Sequence, residues 1–128
     1  MAEDIPQALR YTDQHEWVRI DGDVVTVGIT AFAQDQLGDV VYVDLPTAGA
    51  TVDQGQAIGE VESTKSVSDL YAPVAGEILS RNEELDERPE LINADPYGEG
   101  WLVTLRVSDP AQAEALLDAA GYAALLDG

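Results

Sequence analysis

The stretch AIGEVESTKSVSDLY, Ala57 to Tyr71, contains two strand-like segments with the only lysine of the chain between them. Apolar and β-branched residues indicate a strand over Ala57–Ser63, and a second strand begins at Ser66. A tight connection between the two strands directs the Lys65 side chain into solvent. No Asn-Gly or Asp-Gly fixes the turn type, so the geometry of the turn is inferred from its flanks.

A lysine at this position contrasts with the rest of the chain, whose other basic side chains are all arginines: Arg10, Arg19, Arg81, Arg88 and Arg106. Arginine stays charged, whereas lysine can lose a proton and be acylated. A reactive amine on a rigid tip is what a carrier needs, because a group attached to a lysine stem becomes a swinging arm. The competing interpretation is an ordinary solvated lysine.

The flanking sequence predicts a mainly β fold. Apolar runs around Asp21–Asp23 indicate a hairpin, and Thr30 is the expected N-cap of a short helix ended by Gly38. A loop with a helical turn is expected over 82–93, and GWLVTLRV forms the last strand. Ser108 is the expected N-cap of a C-terminal helix that runs to a C-cap at Gly121. Short strands at regular spacing favour a compact barrel or sandwich.

Composition limits the classes of function. With 128 residues, a single domain is expected, with its core at about 11–107 and a helical segment at about 108–126. A formal charge of −19 argues against nucleic acid and membrane surfaces as partners. There is no cysteine, and the N-terminus lacks the pattern of a secretory signal, so a cytoplasmic protein is expected.

Several segments together resemble the glycine cleavage H-protein family. VESTKSVSDLYAPVAGEI, from Val61, resembles the lipoyl-lysine segment of that family. HEWV at His15, VGIT at Val27, LGDVVYVDLP at Leu37, ELINADPYGEGWL at Glu90 and the C-terminal helix follow in the family's order. The resemblance spans residues 11 to about 122.

The resemblance implies a lipoyl-domain-like barrel-sandwich hybrid in which Lys65 carries one covalently bound lipoic acid. It implies three partner enzymes: a pyridoxal-phosphate glycine decarboxylase, a tetrahydrofolate-dependent aminomethyltransferase and a dihydrolipoamide dehydrogenase. A lipoylating enzyme must also recognise the site. In that family the protein catalyses no step but carries an aminomethyl group and reducing equivalents. A monomer is the simpler expectation for such a shuttle.

Four acidic residues are candidates for supporting roles. Glu16 and Asp69 are candidates for sheltering the aminomethyl group, because its amine is protonated near neutral pH and a carboxylate would pair with it. Glu60 and Glu62 are in phase along one strand, so they share a face and are candidates for recognition by partners. All four are otherwise ordinary surface acids among the 25 of the chain.

The single histidine, His15, is expected to have a packing role, because one histidine supplies neither a metal cluster nor a partner for a nucleophile. Trp17 and Trp101 are expected in the core. No metal site is expected.

Three alternatives remain open from the sequence. One is a lipoyl or biotinyl domain of another complex, although Thr64-Lys65-Ser66 differs from the Asp-Lys-Ala and Met-Lys-Met of those sites. A second is a hydrolase using His15, which no serine, metal or phosphate motif supports. A third is an interaction scaffold with Lys65 unmodified.

Overall fold

The computed structural model describes residues 5–127, with the side chain of residue 127 left out. Within that range the strands are β1 (Arg10–Tyr11), β2 (Glu16–Asp21), β3 (Val24–Ile29), β4 (Val40–Asp44), β5 (Thr51–Val52), β6 (Ala57–Ser63), β7 (Val67–Tyr71), β8 (Gly76–Arg81) and β9 (Val103–Val107). The helices are α1 (Ala31–Leu37), α2 (Leu91–Ala94), α3 (Pro110–Glu114) and α4 (Ala119–Asp127), with a 3₁₀ turn at Glu83–Asp86.

The strands form two antiparallel sheets. The larger sheet has the order β1-β2-β3-β9-β8-β5, and the smaller has the order β4-β6-β7. This confirms the predicted mainly β, lipoyl-domain-like barrel-sandwich hybrid. Over residues 5–127 the two ladders stay separate and do not join into a closed barrel.

The main core lies between the two sheets. The larger sheet contributes buried residues such as Val27, Ile78 and Leu105, and the smaller sheet contributes Val61 and Leu70. In the second half of β6 the side chains alternate, with Val61 and Ser63 buried and Glu60 and Glu62 exposed, as the period of a half-buried strand requires. The small sheet therefore buries one face and presents the other outward.

The predicted hairpin and helix near the N-terminus are confirmed. β2 and β3 pair from Glu16↔Ile29 to Asp21↔Val24 around a turn that contains Gly22. Thr30 caps α1, because its side chain accepts a hydrogen bond from the Ala33 amide, and Gly38 ends the helix with φ of 86°. A left-handed φ is easily adopted by glycine, which lets the chain turn sharply toward β4.

The expected C-terminal helix is wrong in its details. Asp109, not Ser108, is the N-cap, and α3 ends at Glu114. Leu117 then exchanges two backbone hydrogen bonds with Tyr11, of 2.8 and 2.9 Å, which interrupts the helix. The Asp118 side chain accepts a 2.8 Å bond from the Gly121 amide and starts α4, so Gly121 lies inside a helix rather than at its end.

A second, smaller apolar cluster joins the C-terminal helix to the large sheet. Trp17, which is fully buried, packs there with Tyr11 and Tyr122, and Trp101 packs against the cluster while partly exposed. The Trp17 indole donates a 2.8 Å hydrogen bond to the Pro96 carbonyl, which fixes the ring. The expected core position is confirmed for Trp17 and holds in part for Trp101.

We predict that Gly28→Ala destabilises the fold. Gly28 faces Trp17 across β2 and β3, and a methyl group there would lie 2.6 Å from the indole ring. Because the ring is fixed by its hydrogen bond, we expect a loss of about 2 kcal/mol in the free energy of unfolding, a usual cost of overpacking. Urea denaturation measures the loss.

Gly121→Ala is the matched control for this substitution. Outside the backbone of its own helix, its methyl group would come no closer than 3.3 Å, to the flexible Asp118 side chain, and alanine favours a helix by up to about 1 kcal/mol over glycine. Equal effects of the two substitutions would contradict the packing described for Trp17.

Candidate functional site

Lys65 lies on a three-residue connection, Thr64–Ser66, between β6 and β7. This confirms the predicted hairpin, whose second strand begins one residue later than expected. The antiparallel register, with Glu62 opposite Val67, places the connection at the end of the small sheet. The Lys65 side chain is exposed, and no ion pair is found for it among the described residues.

The Ser63 side chain braces the connection from beneath. Its hydroxyl donates to the Ser66 carbonyl at 3.0 Å and accepts from the amides of Lys65 and Ser66 at 3.2 and 3.0 Å. A serine hydroxyl has one donor and two acceptor positions, so these three bonds use all of its capacity. Ser63 is buried, and the backbone on both sides of the lysine is therefore held tightly.

A second contact ties the connection to the end of α1. The Thr64 amide donates a 3.1 Å bond to the Asp39 carbonyl, and the stem of Lys65 passes over Gly38. A Cβ atom at Gly38 would lie 3.4 Å from Lys65 Cε. The lysine thus emerges between two elements, with its aliphatic part against the backbone and its amine outward.

A cleft of 470 Å³ begins directly beside this lysine. One wall comes from Ser66 and from β7, which follow Lys65 along the chain. The opposite wall comes from α1 and from the loop between β1 and β2. Its main side chains are His15, Glu16, Phe32, Leu37, Val67 and Asp69.

Glu16 is a buried carboxyl group that lines this cleft and a neighbouring cavity of 690 Å³. Its side chain is 1% exposed, and its oxygens accept hydrogen bonds from the Tyr71 amide at 2.7 Å and the Thr12 hydroxyl at 3.1 Å. Burial raises the pKa of Glu16 to about 7 and outweighs the opposing effect of the two hydrogen bonds. No cation pairs with it among the ion pairs of residues 5–127.

Asp69 lines the same cleft but is exposed. Its carboxylate accepts a 3.3 Å hydrogen bond from the Tyr71 hydroxyl, and this negative charge is the first cause of a raised pKa of Tyr71. The structure therefore brings Glu16 and Asp69 to one cleft from distant parts of the sequence. Tyr71 connects them, because its amide binds one carboxyl group and its hydroxyl binds the other.

Glu60 and Glu62 lie on the outward face of β6, in line with the predicted shared face. Glu62 lies between Tyr42 and Val67 across the small sheet, and Glu60 lies opposite Asp69. Neither lines the cleft. They are exposed carboxylates next to the lysine and are accessible to a docked protein.

His15 packs as the sequence predicted, but in an unusual backbone conformation. It has φ of 68° and is the one non-glycine residue with positive φ among residues 5–127. Its ring lies 4.9 Å from the Phe32 ring, and its Nδ1 atom is 2.9 Å from the Tyr122 hydroxyl. Burial lowers the pKa of His15, so the neutral ring is favoured. No cluster of metal-ligating side chains occurs in the described part of the chain.

Sequence reasoning missed the roles of two residues in this site. Ser63 could have been found, since a serine at the start of a tight turn often bonds to the backbone of that turn. Tyr122 could not, because it is more than 100 residues away from His15 and nothing local marks the contact.

No helix of residues 5–127 has the length and apolar character to span a membrane.

Comparisons with known proteins agree with this geometry. The family model for glycine cleavage H-protein matches residues 9–128. The glycine cleavage system H protein of Bacteroides thetaiotaomicron is 54% identical over 123 residues, covering 96% of this chain and 98% of the relative. That of Parasynechococcus marenigrum is 55% identical over 122 residues, covering 95% of each.

A solved structure extends the likeness to three dimensions. The crystal structure of a glycine cleavage system H protein from Mycobacterium marinum matches with a TM-score of 0.89 and 44% identity. The match covers 97% of this chain and all of the other. On the strength of sequence and fold together, this chain belongs to the glycine cleavage H-protein family.

Proposed function

We propose that this protein is the lipoyl-bearing carrier of a glycine cleavage system, with one lipoic acid joined by an amide bond to Lys65. The single observation that carries the proposal is the exposed lysine on a connection braced by Ser63 and Asp39. An amide at this amine leaves the fold undisturbed, because the side chain is exposed and no ion pair is found for it in the described residues.

The proposed role is that of a non-catalytic shuttle. Lys65 would hold the lipoate through an amide bond, and the group would supply a reducible disulfide with one sulfur able to carry the aminomethyl group. The aminomethyl cargo passes from the pyridoxal-phosphate glycine decarboxylase to the tetrahydrofolate-dependent aminomethyltransferase. The flavin-containing dihydrolipoamide dehydrogenase would supply the oxidant, its flavin, for return of the dithiol to the disulfide.

Glu16 and Asp69 are proposed to shelter the cargo in the cleft. The cargo carries an ammonium group near neutral pH, and Glu16 is a buried carboxyl group for which no cationic partner is found in residues 5–127. A buried carboxylate without a counter-ion is unfavourable, so an ammonium ion that enters the cleft stabilises it strongly. Asp69 contributes less, since water screens an exposed pair.

The outward face of the small sheet is the proposed recognition surface. Glu60 and Glu62 are exposed beside Lys65, and Asp44 extends the acidic row because it lies opposite Glu60. A lipoylating enzyme or a partner with basic groups around its active site would be drawn to this face.

We further propose that the whole chain acts as one carrier domain and that it works as a monomer in the cytoplasm. The charge of −19 favours its solubility there.

We predict that Lys65→Arg abolishes carrier function without unfolding the protein. Arginine keeps the charge but cannot be lipoylated. In a mixture of the three partner enzymes and the lipoylating enzyme, glycine-dependent release of carbon dioxide should fall to the rate measured without carrier. A Lys65→Arg, Thr64→Lys double variant tests whether the lysine must stand at position 65, because it keeps one lysine on the connection but moves it by one residue. We expect it to be inactive too, and wild-type activity of either variant would refute the assignment.

We predict that Glu16→Gln speeds hydrolysis of the bound aminomethyl group. The cargo is loaded chemically, from the reduced arm with formaldehyde and ammonia, and its loss is followed by mass. We expect an increase of about tenfold, since a charge-assisted hydrogen bond contributes about 1.5–3 kcal/mol. Asp69→Asn should raise the rate about twofold, as an exposed pair contributes less than 1 kcal/mol. Glu87→Gln, exposed and outside the cleft, is the control. An unchanged rate in Glu16→Gln would remove this residue from the site.

We predict that Glu16 makes stability depend on pH. The pKa of Glu16 is raised from 4.5 to about 7 in the folded protein, so the folded state holds this proton more tightly than the unfolded state. The tighter proton binding stabilises the folded state fully below pH 4.5, and this stabilisation is lost as the pH rises to about 7. The loss in the free energy of unfolding is about 3 kcal/mol, because each unit of difference in pKa corresponds to 1.36 kcal/mol. Urea denaturation at pH 5 and pH 7.5 measures it.

Glu16→Gln should lose this part of the pH dependence, whereas Glu87→Gln should keep it, because Glu87 is exposed. Comparing the two variants separates the titration of Glu16 from the pH dependence that general repulsion among the acidic side chains produces. Parallel pH profiles of the Glu16→Gln variant and the wild type would show that the carboxyl group does not titrate as proposed.

A further inference from the structure

Tyr122 of α4 lies behind the cleft and contacts two segments of one wall through one hydroxyl group. The side chain is fully buried. Its hydroxyl oxygen is 2.7 Å from Thr30 Oγ1 and 2.9 Å from His15 Nδ1. A tyrosine hydroxyl both donates and accepts, so one group can bind both partners at once. The C-terminal helix is thereby joined to two segments that are far from it in sequence.

His15 lies in the wall of the cleft opposite β7, and Thr30 caps the helix that forms the rest of that wall. Thr30 is the N-cap of α1, where its hydroxyl also accepts a 3.2 Å bond from the Ala33 amide, and α1 supplies Phe32 to the cleft. His15 directly precedes Glu16 and lines the cleft with its ring, which packs at 4.9 Å from Phe32. The Tyr122 hydroxyl therefore lies where the two segments of this wall meet.

The His15 ring is held by few contacts other than this one. The backbone of His15 is fixed, because its carbonyl accepts a 3.0 Å bond from the Thr30 amide and its amide donates to the Thr12 carbonyl at 3.2 Å. These bonds support its left-handed φ of 68° but do not orient the ring. The contacts that orient it are the edge-on packing against Tyr122, the contact with Phe32 and the hydrogen bond at Nδ1.

We propose that Tyr122 is a positioning residue of the carrier cleft: by binding His15 and Thr30 together, it holds the two segments of the cleft wall beside Glu16 in the arrangement that shelters the cargo. The C-terminal helix is then part of the site, although none of the α4 residues before Leu125 lines the cleft or the neighbouring 690 Å³ cavity. This inference rests on the proposed carrier function, in which the cleft protects the aminomethyl group from water.

The test uses Tyr122→Phe, which removes the hydroxyl and keeps the ring stacked on Tyr11 at a centroid distance of 4.8 Å. Tyr11→Phe is the matched control. Tyr11 belongs to the same buried cluster, and its hydroxyl donates a 2.6 Å bond to the Pro6 carbonyl, away from the cleft. The two variants lose the same atom from neighbouring buried tyrosines, but only one of them loses the contact with His15.

The first readout is the ¹⁵N spectrum of the His15 ring in the unmodified protein. His15 is the only histidine, so its two ring nitrogens give one unambiguous pair of signals. We expect one fixed tautomer in the wild type and in Tyr11→Phe, and averaged signals in Tyr122→Phe. A wild-type ring that already exchanges freely between tautomers would overturn the proposal, whether or not the variant folds.

The second readout is hydrolysis of the chemically loaded aminomethyl group. We expect an increase of about fivefold in Tyr122→Phe, the effect of losing about 1 kcal/mol of hydrogen bonding, and a rate close to wild type in Tyr11→Phe. Equal rates in both variants would overturn the positioning role. If the aminomethyl group on the wild-type protein hydrolyses as fast as free aminomethyl-dihydrolipoamide, the proposed sheltering function is wrong. The His15 signals distinguish that failure from a failure of the positioning role of Tyr122.

Discussion

The rigidity of the connection around Lys65 is the constraint on which the site depends. A flexible loop would let the amine sample many directions, whereas the three hydrogen bonds of Ser63 fix the backbone on both sides of it. The bond from Thr64 to Asp39 then ties the hairpin to the end of α1, which forms the other side of the cleft. One buried hydroxyl and one backbone contact thus set where an arm attached to Lys65 begins.

The cleft beside Lys65 differs from the exposed lysine because it contains a buried polar group. Its central carboxyl group is buried, has a raised pKa and belongs to no ion pair found in the described chain. Such a group is unfavourable for stability alone, and in the proposed function a cationic cargo would offset that cost. The fold therefore combines an accessible attachment point with a sheltered polar site a short distance away, which is the arrangement that a carrier of a water-sensitive amine requires.

Local sequence signals predicted the parts of the fold that depend on neighbouring residues. The hairpin around Gly22, the capped helix from Thr30 to Gly38 and the lysine between two strands all follow from turn chemistry, capping and alternation. The division of the strands into two sheets does not, because pairing between distant strands depends on the packing of the whole core. The same limit explains the C-terminal error, where pairing of Leu117 with Tyr11 overrides helix propensity.

Only part of the candidate site could be predicted, because the rest depends on contacts between residues that are distant in sequence. Lys65 stands out by composition and position, and the resemblance to a family drew attention to Glu16 and Asp69. The burial of Glu16 and the bridge through Tyr71 are tertiary effects that sequence spacing does not encode. Tyr122 carries no local signal at all, since its role arises only when α4 packs behind the loop that contains His15.

The most direct test of the account is the intact mass of the protein after incubation with a lipoylating enzyme, lipoate and ATP, followed by peptide mapping. The account predicts a gain of one lipoyl group per chain, found entirely on the peptide that contains Lys65. A protein that remains unmodified under conditions that lipoylate another member of the family would contradict it.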